Sequence, residues 1–170
     1  MVEFNKERKL RLTAGGEIIS GTDINNNDSN FSFSPLYGTN HAHNGYMDMF
    51  YVGGRHEASV GLVDLYIRLR CDMNSKLFFS LNTHAFNSYA HIYDVDQQRI
   101  SNYLGSELDF TFGYIFNDVV SFQVGYSQFF KSTALETVQK INYPNLVQNW
   151  SYFMVVYRPK MKNKFIGLIN

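Results

Sequence analysis

Three features are scarce in this chain of 170 residues: charge, cysteine and long apolar runs. Charged side chains make up 18% of the residues, against roughly 25% in a typical soluble domain, which indicates that much of the surface does not face water. The 15 basic and 15 acidic residues cancel, so no net charge favours nucleic acid or an anionic membrane surface. The single cysteine, Cys71, excludes an intramolecular disulfide and is interpreted as a small apolar residue.

No run of about 18 apolar residues occurs, which excludes a transmembrane helix. Residues 1–10 carry charges where a signal peptide would have its apolar core. Because a bacterial barrel protein must be exported, we expect either that the start of the gene product is missing here or that the chain is not a membrane protein. The length predicts a single domain, residues 1–170.

Residues 105–130 predict two β-strands joined by a tight turn, because apolar and polar side chains alternate with a period of two. The apolar rows are Leu108, Phe110, Phe112 and Tyr114 before the Asn117–Asp118 turn, and Val120, Phe122, Val124 and Tyr126 after it. Each strand is as long as the roughly 9–11 residues that cross a bilayer. Since lipid cannot satisfy the open edge of a sheet, strands that cross a membrane must belong to a closed barrel.

The same alternation predicts six long strands along the chain. Their approximate bounds are Leu10–Ser20, Val60–Cys71, Leu77–Phe86, Leu104–Phe116, Val119–Phe129 and Asn149–Tyr157. The last strand is apolar on both rows, so its faces cannot be assigned. The predicted fold is all-β, an antiparallel up-and-down meander of about six long strands that forms part of a transmembrane β-barrel.

The connections between the predicted strands alternate in length. Short turns at residues 72–76 and 117–118 fall at one end, whereas long polar connections at 21–59, 88–102 and 131–148 fall at the other. Bacterial outer-membrane barrels have short periplasmic turns and longer extracellular loops. A capping box from Thr133 to Glu136 predicts a short helix in the last connection, and residues 160–170 form a C-terminal tail.

Alternation alone does not separate a membrane barrel from a soluble one, but the chemistry of the polar rows does. They carry Ser, Thr, Gln, Asn, Gly and a few opposed charges, where a water-facing sheet is rich in lysine and glutamate. Aromatic residues near the strand ends fit interfacial girdles. These are Phe116, Phe129, Phe130, Trp150 and Tyr157. The alternative is a soluble β-sandwich or lipocalin-like barrel that binds a ligand; enclosure of Leu65 and Ile67 in a protein core would favour it.

Paired residues of a hairpin share a face, so their numbers must sum to an even value if the apolar rows are to continue. The predicted pairs are Tyr114 with Phe122, Phe112 with Val124 and Phe110 with Tyr126 in one hairpin, and Leu69 with Phe79 and Ile67 with Leu81 in the other. The second hairpin is also expected to bring Asp64 near His84.

Several sequence blocks, in order, resemble the C-terminal part of the alginate-export (porin-like) outer-membrane proteins of Bacteroidetes-type bacteria. They are SPLYGTNH at 34–41, NGYMDMFYVG at 44–53, GLVDLY at 61–66, LGSELD at 104–109, GYSQ at 125–128 and NW at 149–150. The resemblance covers roughly residues 9–159. It implies a channel in the bacterial outer membrane that passes or exports hydrophilic solutes or polysaccharide, in a barrel of about 16–18 strands.

Six strands cannot close a transmembrane barrel when the smallest have eight. We therefore expect this chain to be the C-terminal part of a barrel or a truncated gene product. Its expected partners are outer-membrane lipid, a hydrophilic solute or polysaccharide, and further strands of the same barrel. No nucleic acid is expected to bind. The residues predicted to line the lumen are Arg11, Glu17, Asp64, Arg68, Arg70, His84, Glu107 and Asp109. Arg68 and Arg70 are the only hint of a basic track, and the carboxylates argue against a purely anion-selective path.

The sequence gives only weak signals for metal binding. His41, His43 and His56, with Asp48 and Glu57, match no tetrahedral metal-site spacing. Instead, this loop is predicted to pack into the barrel mouth through Tyr46, Met49, Phe50 and Tyr51. Asp94 and Asp96 are interpreted as solvated loop carboxylates, with calcium binding as the alternative.

Catalysis is also not predicted. His84 and Asp64 could form a hydrolytic pair, but no nucleophile lies in a recognisable turn and no glycine-rich phosphate loop occurs. We predict no enzymatic activity, no cofactor and no metal.

Overall fold

The computed structural model describes residues 2–5, 8–26, 28–33, 44–50, 59–140 and 147–159, with only the backbone for 2–5. The elements are β1 Val2–Asn5, β2 Arg8–Ile19, β3 Leu62–Asp72, β4 Leu77–Asn87, β5 Tyr103–Ile115, β6 Val120–Lys131, α1 Thr133–Gln139 and β7 Gln148–Tyr157. The strands form one sheet in sequence order, each antiparallel to the next. The predicted all-β meander is confirmed.

The six predicted strands correspond to β2–β7, and their ends agree within two residues. The short strand β1 was not predicted. Within the described ranges, no helix combines the length and the apolar character that a membrane span requires.

The turn between β5 and β6 has the predicted register, with Tyr114 opposite Phe122 and Phe112 opposite Val124. The side-chain oxygen of Asn117 accepts the backbone N–H groups of Val119 and Val120, each at 2.9 Å. This local cap fixes where the hairpin reverses.

The turn between β3 and β4 differs from the prediction by two residues. Leu69 lies opposite Leu81, not Phe79, and Ile67 lies opposite Thr83. The reversal is wider than expected because the N–H of Met73 donates to the Leu77 carbonyl at 2.9 Å. A shift of two keeps each side chain on its predicted face.

The long connections close over the opposite end of the sheet, which we call the loop end, and build a small apolar core there. Its buried members are Val60, Leu62, Phe86, Ala90, Ile92, Leu104, Phe129, Ala134 and Leu135. Backbone hydrogen bonds join the connections, such as Ala90 N–H to the Val60 carbonyl at 2.9 Å and Ser88 N–H to the Asn102 carbonyl at 2.8 Å. The main apolar cluster therefore lies at one end of the sheet.

Helix α1 belongs to this cover, and its N-cap lies one residue before the predicted cap, Thr133. Ser132 is the N-cap, and its hydroxyl accepts the Leu135 N–H at 3.2 Å. Glu136, the predicted partner of Thr133 in a capping box, instead pairs with Lys131 at 2.9 Å. The capping-box prediction is thus wrong, because the preceding serine takes the cap.

The two faces of the sheet differ sharply in exposure. On the apolar face, Leu12 is 70% exposed, Leu65 56% and Phe112 47%. On the polar face, Asp64 is 1% exposed and Asp109 is fully buried. Several polar residues of β3–β6 are thus enclosed by the protein, whereas the apolar rows are largely exposed.

The pairing of β7 assigns the faces that its sequence left open. Trp150 lies opposite Ser127 on the polar face, and Phe153 lies opposite Val124 on the apolar face. Phe130 and Tyr157 fall on the exposed apolar face. Phe129 is buried in the loop-end core and Trp150 lies on the polar face, so their predicted place in an outward aromatic girdle is wrong.

Candidate functional site: the polar face of the sheet

All eight residues predicted to line a lumen lie on one face, because paired residues share a face. Arg11 lies opposite Arg70, Glu17 opposite Asp64 and His84 opposite Glu107, while Asn82 lies between Arg68 and Asp109. The register therefore brings the whole set together, as the sequence predicted. That these residues line a lumen stays a prediction.

Arginines occupy the part of this face nearest the short turns. Arg11 and Arg70 each donate to the Asp72 carboxylate at 2.9 Å. The Arg70 guanidinium lies 3.9 Å above the Phe78 ring, and that of Arg68 lies 4.3 Å above the Tyr66 ring. These stacking contacts help to hold the Arg68 and Arg70 guanidinium groups in place.

Carboxylates and a histidine occupy the part nearer the loop end. Asp64 is hydrogen-bonded to His84, with its two carboxyl oxygens 2.9 and 3.0 Å from Nδ1, so the predicted proximity is confirmed. The His84 ring stacks on Phe86 at 5.5 Å and lies 5.6 Å from the Tyr66 ring. The imidazole thus contacts two aromatic rings, and its hydrogen bond to Asp64 joins β4 to β3.

The segment from Asn44 to Phe50 lies across the polar face and contacts its carboxylates directly. The Met47 N–H donates to Glu107 Oε1 at 2.9 Å, and the Asn44 side-chain amide donates to Glu17 at 2.9 Å and to Asp64 at 3.4 Å. Gly45 has φ of 81°, and a Cβ there would come within 2.6 Å of the Glu107 carboxyl. Glycine is therefore required for the segment to approach Glu107 this closely.

The same segment is anchored in the loop-end core. The Phe50 ring lies 4.5 Å from Phe86 and 6.0 Å from Phe129, and Gln139 of α1 donates to the Met49 carbonyl at 3.1 Å. Met49 and Phe50 pack against the loop-end core; that this packing fills the mouth of a barrel stays a prediction. Tyr51 lies outside the described residues.

Sequence reasoning missed Asn44, Gly45 and Met47 as partners of the carboxylates. The only signal was the Asn-Gly pair at 44–45, which indicates a special backbone conformation but not its target. Two of these three residues act through backbone geometry, which leaves no side-chain pattern to find.

Three glycines of the polar face, Gly15, Gly113 and Gly125, lie beneath aromatic rings from the neighbouring strand, and Gly15 is paired with Tyr66. Gly113 is paired with Phe78, and Gly125 with Tyr152. A Cβ on Gly113 or Gly125 would fall 2.0 Å from a ring carbon of its partner. Each ring therefore lies along the sheet, in the place that a side chain would take.

The alternative sites are only partly within the described residues. His41, His43, His56 and Glu57 lie outside them. In the parts of the chain that the structure describes, no three His, Cys, Asp or Glu side chains form a metal-binding group. Asp94 accepts the N–H groups of Asp96 and Gln98 at 2.9 and 2.8 Å, so its carboxylate stabilises a turn.

Comparisons of this chain with models of known protein families, with curated proteins and with solved structures found no match.

Proposed function

We propose that this chain forms part of the wall of a bacterial outer-membrane β-barrel and acts as a porin-like channel for hydrophilic solutes or polysaccharide. The observation that carries the proposal is the inverted polarity of the sheet. Asp64, Glu107 and Asp109 are at most 1% exposed, while Leu12 and Ile18 on the other face are 70% exposed. In an outer-membrane barrel such an apolar face contacts lipid, and the polar face lines the lumen.

The strand lengths fit the same environment. Strands β2–β7 have 10–13 residues each. At roughly 3.3 Å per residue and a tilt of about 40°, such strands rise roughly 25–33 Å. This matches an apolar band about 25 Å tall and a hydrocarbon core about 30 Å thick.

The proposal requires additional strands. The sheet runs in order from β1 to β7, with these two strands at its edges. A barrel in lipid has no open edge, and the smallest closed barrels have eight strands. Further strands that join the two edges would complete the wall.

The charges on the polar face suggest how a solute would meet it. Arg11, Arg68 and Arg70 lie towards the short turns, whereas Glu17, Asp64 and Glu107 lie towards the loop end. In outer-membrane barrels the short turns are periplasmic. A solute entering from outside would first meet Glu17 and segment 44–50, which contacts the buried Asp64 and Glu107, and would meet the arginines afterwards.

The second candidate, a soluble ligand-binding β-barrel or sandwich, requires the apolar row to be enclosed. Leu65 and Ile67 are 56% and 53% exposed, and Phe110 and Phe112 are exposed as well. The Nε atom of Arg68, by contrast, is buried. This distribution favours the membrane proposal.

The test is the ion selectivity of the protein in a planar lipid bilayer, studied with any preceding strands that its gene encodes. The Arg68→Glu/Arg70→Glu variant is expected to conduct with a marked shift towards cations, because charged side chains lining a pore set its selectivity. Arg99→Glu, in an exposed connection, is the matched control and should leave selectivity unchanged. Absence of conductance, or equal selectivity of all three proteins, would contradict the proposal.

A further inference from the structure

Four oxygen-bearing side chains come together on the polar face at the centre of the β5–β6 hairpin. Asp109 lies directly opposite Ser127, and Glu107 and Thr111 lie two residues to either side of Asp109 on the same face. We call Glu107, Asp109, Thr111 and Ser127 the oxygen cluster. Glu107, Asp109 and Ser127 are fully buried, and Thr111 is nearly so.

Most oxygens of this cluster lack a hydrogen-bond partner among the described residues. They are Glu107 Oε2, Asp109 Oδ1, Asp109 Oδ2, Thr111 Oγ1 and Ser127 Oγ. Buried polar atoms nearly always have a partner, because burial without one is unfavourable. Two of these atoms are neutral hydroxyls, so repulsion between the carboxylates does not account for the set. The cluster therefore has the character of an incomplete coordination shell.

Among the described residues, no lysine or arginine forms an ion pair with Glu107 or Asp109. The two carboxyl groups lie within hydrogen-bonding range of each other, and Glu107 also accepts the backbone N–H groups of Tyr46 and Met47. The Arg68 guanidinium lies over the Tyr66 ring, and Lys131 pairs with Glu136 at 2.9 Å. Two adjacent buried carboxyl groups without an ion-pair partner favour either a shared proton or a bound cation.

We propose that the oxygen cluster binds a divalent cation of the calcium class. Calcium takes six to eight oxygen ligands in flexible geometry, including carboxylates that bind through one or two oxygens. Magnesium demands near-octahedral geometry and keeps several waters, and transition metals favour nitrogen or sulfur ligands. The cluster offers only oxygen, from two carboxylates and two hydroxyls. This proposal does not depend on the membrane function, because it uses only the β5–β6 hairpin and Met47.

The position of the single tryptophan gives a direct test. Trp150 lies opposite Ser127, one strand beyond Asp109, and it is the only tryptophan in the chain. Terbium(III) replaces calcium at oxygen sites and emits when excited through a nearby indole. Titration of the protein with terbium should give saturable emission on excitation of Trp150, and added calcium should displace it more effectively than magnesium.

Matched variants locate the ion. Asp109→Asn should weaken calcium binding at least tenfold, and Ser127→Ala, which retains both carboxylates, should weaken it several-fold. Asp28→Asn removes an exposed carboxylate outside the sheet and should leave the affinity unchanged. Trp150→Phe should abolish the emission while leaving calcium affinity, measured by calorimetry, intact.

Circular dichroism checks that each variant folds, and Ser127→Ala decides the matter if Asp109→Asn does not fold. Absence of saturable emission would mean that the two carboxyl groups share a proton instead of an ion, and the proposal would be wrong. Equal calcium affinity of wild type and Ser127→Ala would overturn it as well.

Discussion

Asp109 and Phe110 are neighbours in β5, yet the carboxylate is fully buried and the phenyl ring is 39% exposed. The same contrast continues across the sheet, because Asn82 and Ser127 flank Asp109 while Leu81 and Tyr126 flank Phe110. In a water-soluble sheet the order is the reverse. Side chains in this molecule are buried where its own connections lie over the sheet. Segment 44–50 lies over the polar face.

Segment 44–50 can cover the polar face because it supplies hydrogen-bond donors to the carboxylates there. Segment 44–50 brings the Met47 N–H to Glu107 and the Asn44 amide to Glu17. The apolar face receives no comparable cover from the described connections, and its side chains contact mainly each other, as Phe79 and Phe110 do at 6.2 Å. The difference between the faces can therefore be challenged by paired substitutions.

The largest expected effect compares two phenylalanines, one on each face. Phe86→Ala should lower the free energy of unfolding by about 3–5 kcal/mol, because its ring is fully buried against Phe50 and Phe129. Phe112→Ala, on the exposed face, should lose less than half as much. Denaturant titration of both variants in detergent gives the comparison, and equal losses would contradict the difference in packing.

The next effect compares adjacent positions in β2. Ala14 lies on the apolar face and Thr13 on the polar face, and both are exposed. Ala14→Arg should oppose insertion into lipid vesicles by about 2–4 kcal/mol if this position lies near the bilayer midplane, whereas Thr13→Arg should insert almost as wild type does. The protease-resistant fraction in vesicles measures insertion. Similar behaviour of the two variants would favour a soluble sheet.

A smaller effect is expected within the polar face. Asp64→Ala removes the partner of the buried His84 Nδ1 and should lower the free energy of unfolding by about 1–3 kcal/mol. Asp64→Asn should lose less, because its amide retains a hydrogen-bonding oxygen. If the alanine variant is as stable as wild type, water reaches this face and it is less enclosed than the structure indicates.

The smallest expected effect concerns helix α1, which belongs to the connections at the loop end. Ser132→Ala should lower the free energy of unfolding by about 1 kcal/mol, because the hydroxyl caps α1. Thr133→Ala, one residue later, should change stability little. Faster hydrogen exchange in α1 of the serine variant alone would confirm the cap, and the opposite result would restore the capping box predicted from sequence.

The strands and their faces were predictable because alternation with a period of two is a local property. It correctly gave β2–β7, and the even-sum rule gave the pairing of Tyr114 with Phe122. It did not assign the faces of β7, where both rows are apolar, and only pairing with β6 assigns them. The two-residue shift of Leu69 arose because the local geometry of residues 73–77 sets the hairpin register.

The set of residues on the polar face was predictable from the sequence, but the segment that covers this face was not. The eight charged and histidine side chains fall on one face because their spacing is even within each strand. The docking of Met47 depends on a contact across 60 residues, that of Asn44 on contacts across 27 and 20 residues, and both on the conformation of Gly45. No periodic pattern encodes such contacts.

The rings of Phe78 and Tyr152, which lie over Gly113 and Gly125, have a consequence for the space above the sheet. A phenyl or phenol ring that stood upright on the polar face would take up the height of a full side chain. Lying over a glycine, it presents only the thickness of an aromatic plane and adds stiffness at the same time. If this face borders a conduit, the two glycines preserve its cross-section, and replacing either one with a larger residue would lift a ring into the path of the solute.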